Sequence, residues 1–143
     1  MVAGAGIGVP LFVTAAALAA EHDMKGTAAM SDSSPSSDRS PMQTAIKHCL
    51  DCHSMCLRTA MTLCLDKGGR HVEAAHFRLM INCAELCQTS ANFMLSGSPL
   101  HGSVCGVCAE VCEACARSCE QLGDMKECAD ECRRCAKSCK TMA

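Results

Sequence analysis

Cysteine recurs along this chain at intervals of three and four residues. The runs fall at residues 49, 52, 56 and 64, at 83 and 87, at 105, 108, 112, 115 and 119, and at 128, 132, 135 and 139. Side chains with this spacing share one face of an α-helix, in the positions where a helical bundle normally carries leucine. Charged residues between the cysteines, such as Glu110, Glu131 and Arg133, are expected to face solvent. The pattern therefore predicts four amphipathic helices, each with a row of thiols facing inward.

Breaks in the pattern separate the four helical segments. Turn-forming residues lie at 67–69, 96–99 and 122–124. Short connections between helices of similar length favour an antiparallel up-down-up-down arrangement. At the last break, Asp124 is predicted to cap the final helix, with Glu127 completing a capping-box pattern. We therefore predict an all-α fold, an antiparallel four-helix bundle with a cysteine-lined core, over residues 42–143.

The remaining composition supports a core of small side chains and excludes several functions. The 143 residues include 15 cysteines but only 3 phenylalanines, at positions 12, 77 and 93, and no Trp or Tyr. A net charge of −2 argues against the concentrated basic face that nucleic-acid binding requires. The sequence contains no nucleophile-elbow, phosphate-loop or dinucleotide motif. The chain is therefore not expected to be an enzyme.

The N-terminal 41 residues differ in composition from the rest. Residues 4–20 form an apolar run that ends in Ala17-Leu18-Ala19, a small-x-small pattern typical of an export-signal cleavage site. No Lys or Arg precedes the run, so residues 1–20 resemble the remnant of a twin-arginine signal whose start is missing. Residues 21–41 are predicted to be a disordered Ser/Pro-rich linker. The expected location is the periplasm, with the cytoplasm as second choice.

Thiols on four aligned helix faces predict a site for soft metal ions. An odd number of cysteines suits a disulfide framework poorly, as does the geometry of thiols on successive helical turns. A zinc tetrathiolate carries a charge of about −2 into the core, and iron–sulfur clusters use cysteines presented by loops. Cu(I) prefers thiolates and accepts two or three of them, so an array with one ion per thiolate is nearly neutral. Cu(I) is the predicted ion, and zinc is the alternative.

All the cysteines are predicted metal ligands. They are Cys49, Cys52, Cys56, Cys64, Cys83, Cys87, Cys105, Cys108, Cys112, Cys115, Cys119, Cys128, Cys132, Cys135 and Cys139. His53, His76 and Met80 fall on the inward faces of the first two helices, where each either binds metal or only fills the core. His48 and His71 are expected to point outward and to be solvated.

Softer ligands continue the inward faces beyond the cysteines. Met42, Met94 and His101 come together at one mouth of the predicted bundle, and Met142 lies beside them. Thioether and imidazole groups hold Cu(I) more loosely than paired thiolates do. This mouth is therefore predicted to be the place where ions are taken up or released.

The sequence resembles the cysteine-rich four-helix-bundle copper storage proteins of bacteria over residues 43–142. The resemblance rests on His48-Cys49, on Cys56-Leu57-Arg58, and on the cysteine ladders at 105–119 and 128–139. It implies a homotetramer of bundles that hold many Cu(I) ions on inward-facing cysteines. Exported members of this family carry a twin-arginine signal.

These patterns predict a copper storage and buffering protein that binds about one Cu(I) per cysteine. The alternatives are a copper chaperone, a protein that binds zinc or another soft metal, and a thiol redox buffer. The expected partners are copper ions and further copies of the chain, with neither nucleic acid nor stable membrane insertion of the mature domain.

Overall fold

The computed structural model describes residues 40–143. The predicted export signal, residues 1–20, and the predicted linker up to residue 39 lie outside the described residues. The first helix begins at Pro41, the last residue of the predicted linker. The hydroxyl of Ser40 accepts a hydrogen bond from the Gln43 backbone N–H at 3.2 Å. Ser40 and Pro41 are thus the cap and first residue of a helix, because proline suits a position whose N–H has no helical partner.

Four long helical segments follow one another, as predicted. In the first, α1 (Pro41–Thr59) continues through a π-helical turn (Ala60–Cys64) into the short helix α2 (Leu65–Lys67). A 3₁₀ turn (Gly69–Val72) then leads to α3 (Ala74–Leu95), followed by α4 (His101–Leu122) and α5 (Lys126–Lys140). Residues 40–143 contain no strand, and the all-α fold class is confirmed.

The helices form a ring around one core. Helix α1 packs against α3 and α5, and α4 packs against the same two helices. The end of the bundle that contains Cys64, His76 and Cys128 is termed the Met80 end, and the end that contains Cys105 is termed the His101 end. Among the described residues, no helix combines the length and the apolar character needed to cross a membrane.

The core consists almost entirely of cysteine and alanine. Every cysteine is at most 2% exposed, and alanines such as Ala60, Ala84 and Ala116 fill the remaining buried positions. Met80 is the largest side chain that is fully buried, whereas Phe77 is only partly buried against the core. The predicted core of small side chains is confirmed.

A π-helical turn brings Cys64 into the core. The buried residues of this stretch are Cys56, Ala60 and Cys64, each four positions after the last. Successive steps of four overrun a 3.6-residue turn, so in a regular α-helix the buried face would drift around the axis. A π-turn holds more residues per turn and cancels this drift. The sequence predicted an inward Cys64, but only the structure reveals the wider turn that buries it.

The predicted cap of the last helix is wrong. Helix α5 begins at Lys126, after Met125, and no side chain caps its N-terminus. Asp124 instead forms an ion pair with Lys67, and its carboxylate also lies 3.5 Å from Nε2 of His71. Lys67, the last residue of α2, is a cation within reach of the carboxylate and takes the place of the helix end as its partner. Asp124 therefore ties two neighbouring turns together.

The expectation that Glu131 faces solvent is also wrong. Glu131 is only 5% exposed and forms an ion pair with Arg134, one helical turn further along. The Arg134 side chain remains half exposed and covers the carboxylate. Arginine can shield a buried charge in this way because its long apolar stem lies along the surface. In contrast, Arg133 lies on the surface as predicted and pairs with Glu120 of α4.

Candidate metal centre

The sulfur atoms of facing helices form a network of close contacts. All 15 cysteines are buried and none is in a disulfide. The shortest separations, 3.4 Å each, join Cys49 to Cys139, Cys56 to Cys132, and Cys87 to Cys112. A disulfide needs about 2.05 Å, whereas two sulfurs that bind one metal ion at about 2.3 Å stand at most about 4.6 Å apart. The network is therefore spaced for shared metal ions.

Three groups of four sulfurs lie along the core. Within each group all sulfur atoms are within 4.8 Å of one another. The groups are Cys49, Cys108, Cys135 and Cys139, then Cys52, Cys87, Cys112 and Cys135, then Cys52, Cys56, Cys83 and Cys132. Cys52 and Cys135 each belong to two groups. The groups thus form one chain of overlapping sites rather than three separate ones.

Met80 extends the network towards its own end of the bundle. Its thioether sulfur lies 3.5 Å from Sγ of both Cys115 and Cys119. It also lies 4.0 Å from Sγ of Cys128, which in turn lies 3.8 Å from Sγ of Cys56. The structure thus places Met80 among thiols, as its predicted role requires.

Cys64 and His76 form a pair at the Met80 end. Nε2 of His76 lies 3.8 Å from Sγ of Cys64, and Nδ1 lies 2.8 Å from the hydroxyl of Ser118. Burial lowers the pKa of His76, so its imidazole is neutral at neutral pH. A neutral imidazole with one nitrogen fixed by a hydrogen bond presents the other nitrogen to a metal. The geometry suits the predicted ligand role of His76.

The other inward histidine has a backbone partner. Nδ1 of His53 lies 2.9 Å from the carbonyl oxygen of Ala84 on α3. This bond joins α1 to α3, and Nδ1 is the donor because a carbonyl only accepts. Among the described contacts, none joins His53 to sulfur.

The two histidines expected to be solvated are partly buried, which corrects that prediction. Nδ1 of His48 lies 2.6 Å from the hydroxyl of Ser138 on α5. The side chain of His71 is only 12% exposed, and its Nδ1 is buried without a hydrogen-bond partner among the described residues. The periodicity of α1 could not indicate the contact of His48 with Ser138, because Ser138 belongs to the neighbouring helix α5. It did not apply to His71, which lies in the 3₁₀ turn.

The residues predicted to form a mouth lie at the His101 end, where Met94 is buried and the other three are partly exposed. Met94 is only 2% exposed, and Met42 and Met142 pack against the core. Nδ1 of His101 lies 2.8 Å from the Ser98 carbonyl oxygen. A Cβ on Gly102 would stand 3.2 Å from the Met142 carbonyl oxygen, so the C-terminal residues pack tightly against the first turn of α4.

Burial keeps the thiols at both ends protonated at neutral pH in the absence of metal. It raises the pKa of Cys64 at the Met80 end and of Cys105 at the His101 end. Along the middle of the core, the neighbouring thiols of Cys108, Cys112 and Cys135 raise the pKa of Cys87. A metal ion that binds these sulfurs must therefore displace protons.

Sequence reasoning missed two sulfur atoms near the core. Met125, in the turn before α5, is 3% exposed, and Met55 of α1 packs partly buried against the core. Both line a groove that reaches Cys128. Met125 lies three residues before Cys128 and so continues the cysteine row of the last helix at the same spacing, a signal that could have identified it. Met55 directly precedes Cys56 in the sequence and lies beside the cysteine row rather than on it, so the row did not single it out.

Comparison with known proteins places this chain among metal-binding helical bundles. A family model described as copper storage protein matches residues 38–143. The crystal structure of the protein Nmul_A1745 from Nitrosospira multiformis is 60% identical, covers 72% of this chain and 94% of its own, and superposes with a TM-score of 0.71. The Cu(I)-bound copper storage protein BsCsp3 is 32% identical, with 72% and 98% of the two chains covered and a TM-score of 0.66.

A curated relative agrees with these matches. The cysteine-rich protein YhjQ of Bacillus subtilis is 32% identical over 69 residues, or 48% of this chain. The match spans 63% of the length of YhjQ. The family model covers most of the chain, including all four bundle helices and every cysteine. The chain belongs to the copper storage protein family.

Proposed function

We propose that this chain stores and buffers Cu(I) on the thiolates of its bundle core. The observation that carries the proposal is the continuous network of buried sulfurs, in which thiols on facing helices approach to between 3.4 and 3.8 Å. Across most of the core, a cysteine sulfur has another sulfur close enough for both to bind the same ion. The similarity to Cu(I)-bound BsCsp3 supports the same ion for this chain.

The sharing of sulfurs favours Cu(I) over zinc. Structural zinc sites are closed tetrahedra with four ligands each. Cys52 and Cys135 would each have to serve two such tetrahedra, and each tetrathiolate would leave about two negative charges in a core of Cys, Ala and Met. Two-coordinate Cu(I) instead uses bridging sulfurs, and one ion per thiolate cancels the charge.

The proposed ligands are all the cysteines, with Met80 and His76 as supplementary ligands at the Met80 end. The contacts of Met80 with Cys115 and Cys119, and of His76 with Cys64, support these two. His53 would need to bind through Nε2, since its Nδ1 donates a hydrogen bond to the Ala84 carbonyl oxygen. Met42, Met94 and His101 are proposed as weaker ligands of the last ions at the His101 end.

Titration of the reduced, metal-free chain with Cu(I) against a competing chelator tests the proposal. The expected result is saturation near one ion for each of the 15 cysteines. Saturation after a few ions would contradict storage and would favour a chaperone. A purified protein rich in disulfides, which no longer binds copper after reduction, would favour a redox buffer.

Single serine substitutions in the middle of the network sharpen the test. Cys112→Ser and Cys132→Ser each remove one sulfur from the centre of the network, and each should lower the copper capacity while the helices remain. Ala109→Ser is the matched control, because Ala109 is also buried on α4 but carries no ligand atom. An unchanged capacity in both cysteine variants would contradict the proposed ligand set.

We further propose that the mature chain is exported and forms a homotetramer. The apolar N-terminal run with its small-x-small motif supports export. Large exposed apolar side chains, including Leu95, Leu100 and Val107, offer apolar area for self-association. Fractionation of cells that express the full-length gene, and light scattering of the purified chain, test the two points. Cytoplasmic retention or a monomeric mass would contradict them.

A further inference from the structure

A groove at the Met80 end leads from the surface to the thiol network. It lies between α1, the π-helical turn and the first turn of α5, and has a volume of about 470 Å³. Three of its lining residues carry sulfur, namely Met55, Met125 and Cys128. We term it the sulfur groove. It places two thioethers between solvent and a thiol.

The thiol at the base of the sulfur groove is connected to the rest of the network. Cys128 lies 3.8 Å from Cys56, sulfur to sulfur, and 4.0 Å from the thioether of Met80. Its exposed fraction of 2% is small, but every other cysteine is 0% exposed. An ion bound at Cys128 can therefore pass to either neighbour without leaving sulfur.

The thioether of Met55 is held in place at the side of the groove. The hydroxyl of Thr59 lies 3.6 Å from its sulfur, and a guanidinium nitrogen of Arg58 lies 3.7 Å away. These contacts with sulfur are weak, so a soft metal ion readily replaces them. The π-helical turn adds Thr62 and Leu63 to the wall. A π-turn here is consistent with function, since such turns are frequent at functional sites.

Other surface cavities strengthen the contrast between the two ends. A second cleft of about 300 Å³, on the other side of the turn before α5, reaches Cys119. A cavity of about 450 Å³ between the start of α1 and the end of α5 is lined by Pro41, His48 and Ser138 among others, and no lining residue carries sulfur. Size is therefore not what distinguishes the sulfur groove. Its chemistry is.

We propose that Cu(I) passes between solvent and the core through the sulfur groove, where Met55 and Met125 hold it beside Cys128. The inference rests on the proposed storage function. Neutral thioethers bind Cu(I) more weakly than thiolates do, so an ion held by them moves on to a thiolate. In that step the Cu–Sγ bond forms at Cys128, the thiol proton leaves to solvent, the thioethers are released, and copper remains Cu(I). Unloading runs the same steps in reverse.

The first test is the rate at which the loaded, full-length chain transfers Cu(I) to an excess of a chromogenic Cu(I) chelator. Met55→Leu/Met125→Leu removes both thioethers but keeps apolar side chains of similar volume. The expected result is transfer about tenfold slower than for the native chain, at unchanged capacity. Met61→Leu is the matched control, because Met61 lies on the same helical segment but is 54% exposed. Unchanged rates in the double variant would overturn the proposal.

A competing route is tested in the same assay. Met42→Leu/Met94→Leu removes the thioethers of the His101 end. Slower transfer in this variant, together with normal transfer in the groove variant, would assign exchange to the opposite end and overturn the proposal.

A second test needs no copper. In the reduced, metal-free chain, limited alkylation with iodoacetamide should label Cys128 before Cys105, as read by peptide mass spectrometry. Initial labelling of Cys105 would overturn the assignment of the open end. A low copper capacity in the native chain would refute storage, while the labelling order would still decide which end is open.

Discussion

The two ends of the bundle are made from the same four helices but differ in what lies between the surface and the thiols. At the Met80 end, Met80 touches three thiols, and the sulfur groove reaches Cys128. At the His101 end, Met94 is buried, and the C-terminal residues pack against Gly102. Both ends thus carry soft ligands, and the difference is that a surface groove at the Met80 end brings two thioethers beside a thiol.

The largest expected effect is that of pH on the stability of the metal-free, reduced chain, and thiols at both ends should contribute to it. Burial raises the pKa of Cys64 and of Cys105. Below the unfolded thiol pKa of about 8.5, the thiol is protonated in both the folded and the unfolded chain, and pH does not change the stability. As the pH rises towards the higher folded pKa, only the unfolded thiol ionises, so stability is lost. The free energy of unfolding should fall by about 1.4 kcal/mol per pH unit for each thiol that stays protonated.

Guanidinium unfolding at about pH 7 and about pH 10, with reductant present, measures this loss. Cys64→Ser and Cys105→Ser should each make the dependence shallower by one proton. Stability that rises with pH would contradict the assigned direction. A change in only one variant would show that the two ends differ in burial as well.

Truncation of the two buried methionines compares packing at the two ends. Met80→Ala should destabilise the metal-free bundle by about 2–5 kcal/mol, because it leaves a cavity among thiols that cannot close around it. Met94→Ala should lie in the lower part of this range, since Met94 is near the end of α3 and slightly exposed. Met61→Ala, at a position that is 54% exposed, is the control and should change stability little. Equal losses in all three would contradict the picture of a packed core.

Histidine substitutions should have intermediate effects. His76→Ala removes a side chain that is 6% exposed and leaves the Ser118 hydroxyl without its partner, at a cost of about 1–3 kcal/mol. His101→Ala removes a bond to the Ser98 carbonyl within the same turn and should cost about 0.5–1.5 kcal/mol. Thermal unfolding of both variants gives the comparison. A larger loss for His101→Ala would contradict the assignment of the stronger histidine contact to His76.

The smallest effects should come from surface ion pairs. Asp124→Asn breaks the pair with Lys67 at the Met80 end, and Glu113→Gln breaks the pair between α4 and Lys140 of α5. These partners are well exposed, so water and salt screen them. Unfolding at low and high salt should show a slight loss for each variant that disappears in high salt. A large, salt-independent loss for Asp124→Asn would show that its contact with His71 matters more than the ion pair.

Agreement between sequence and structure is closest where one periodicity governs many residues. The cysteine ladders at 105–119 and 128–139 predicted regular helices with inward thiols, and every thiol there is buried. Agreement fails where a single residue chooses between partners. Asp124 takes Lys67 instead of the helix end, and Glu131 is covered by its own neighbour Arg134. Such choices depend on distances between loops and helices, which spacing along one helix does not encode.

The sequence by itself determined the fold class, the burial of the thiols and the preference for a soft metal ion, because these follow from the helical repeat and from the softness of sulfur. Tertiary structure alone decided how the sulfurs combine and where they are reached. Cys64 enters the core only through the π-helical turn, and Met55 lines a groove with Cys128 only because α1 and α5 pack side by side. The physical reason is that a helical repeat fixes the direction of a side chain about its own axis. What that side chain meets depends on the neighbouring helix.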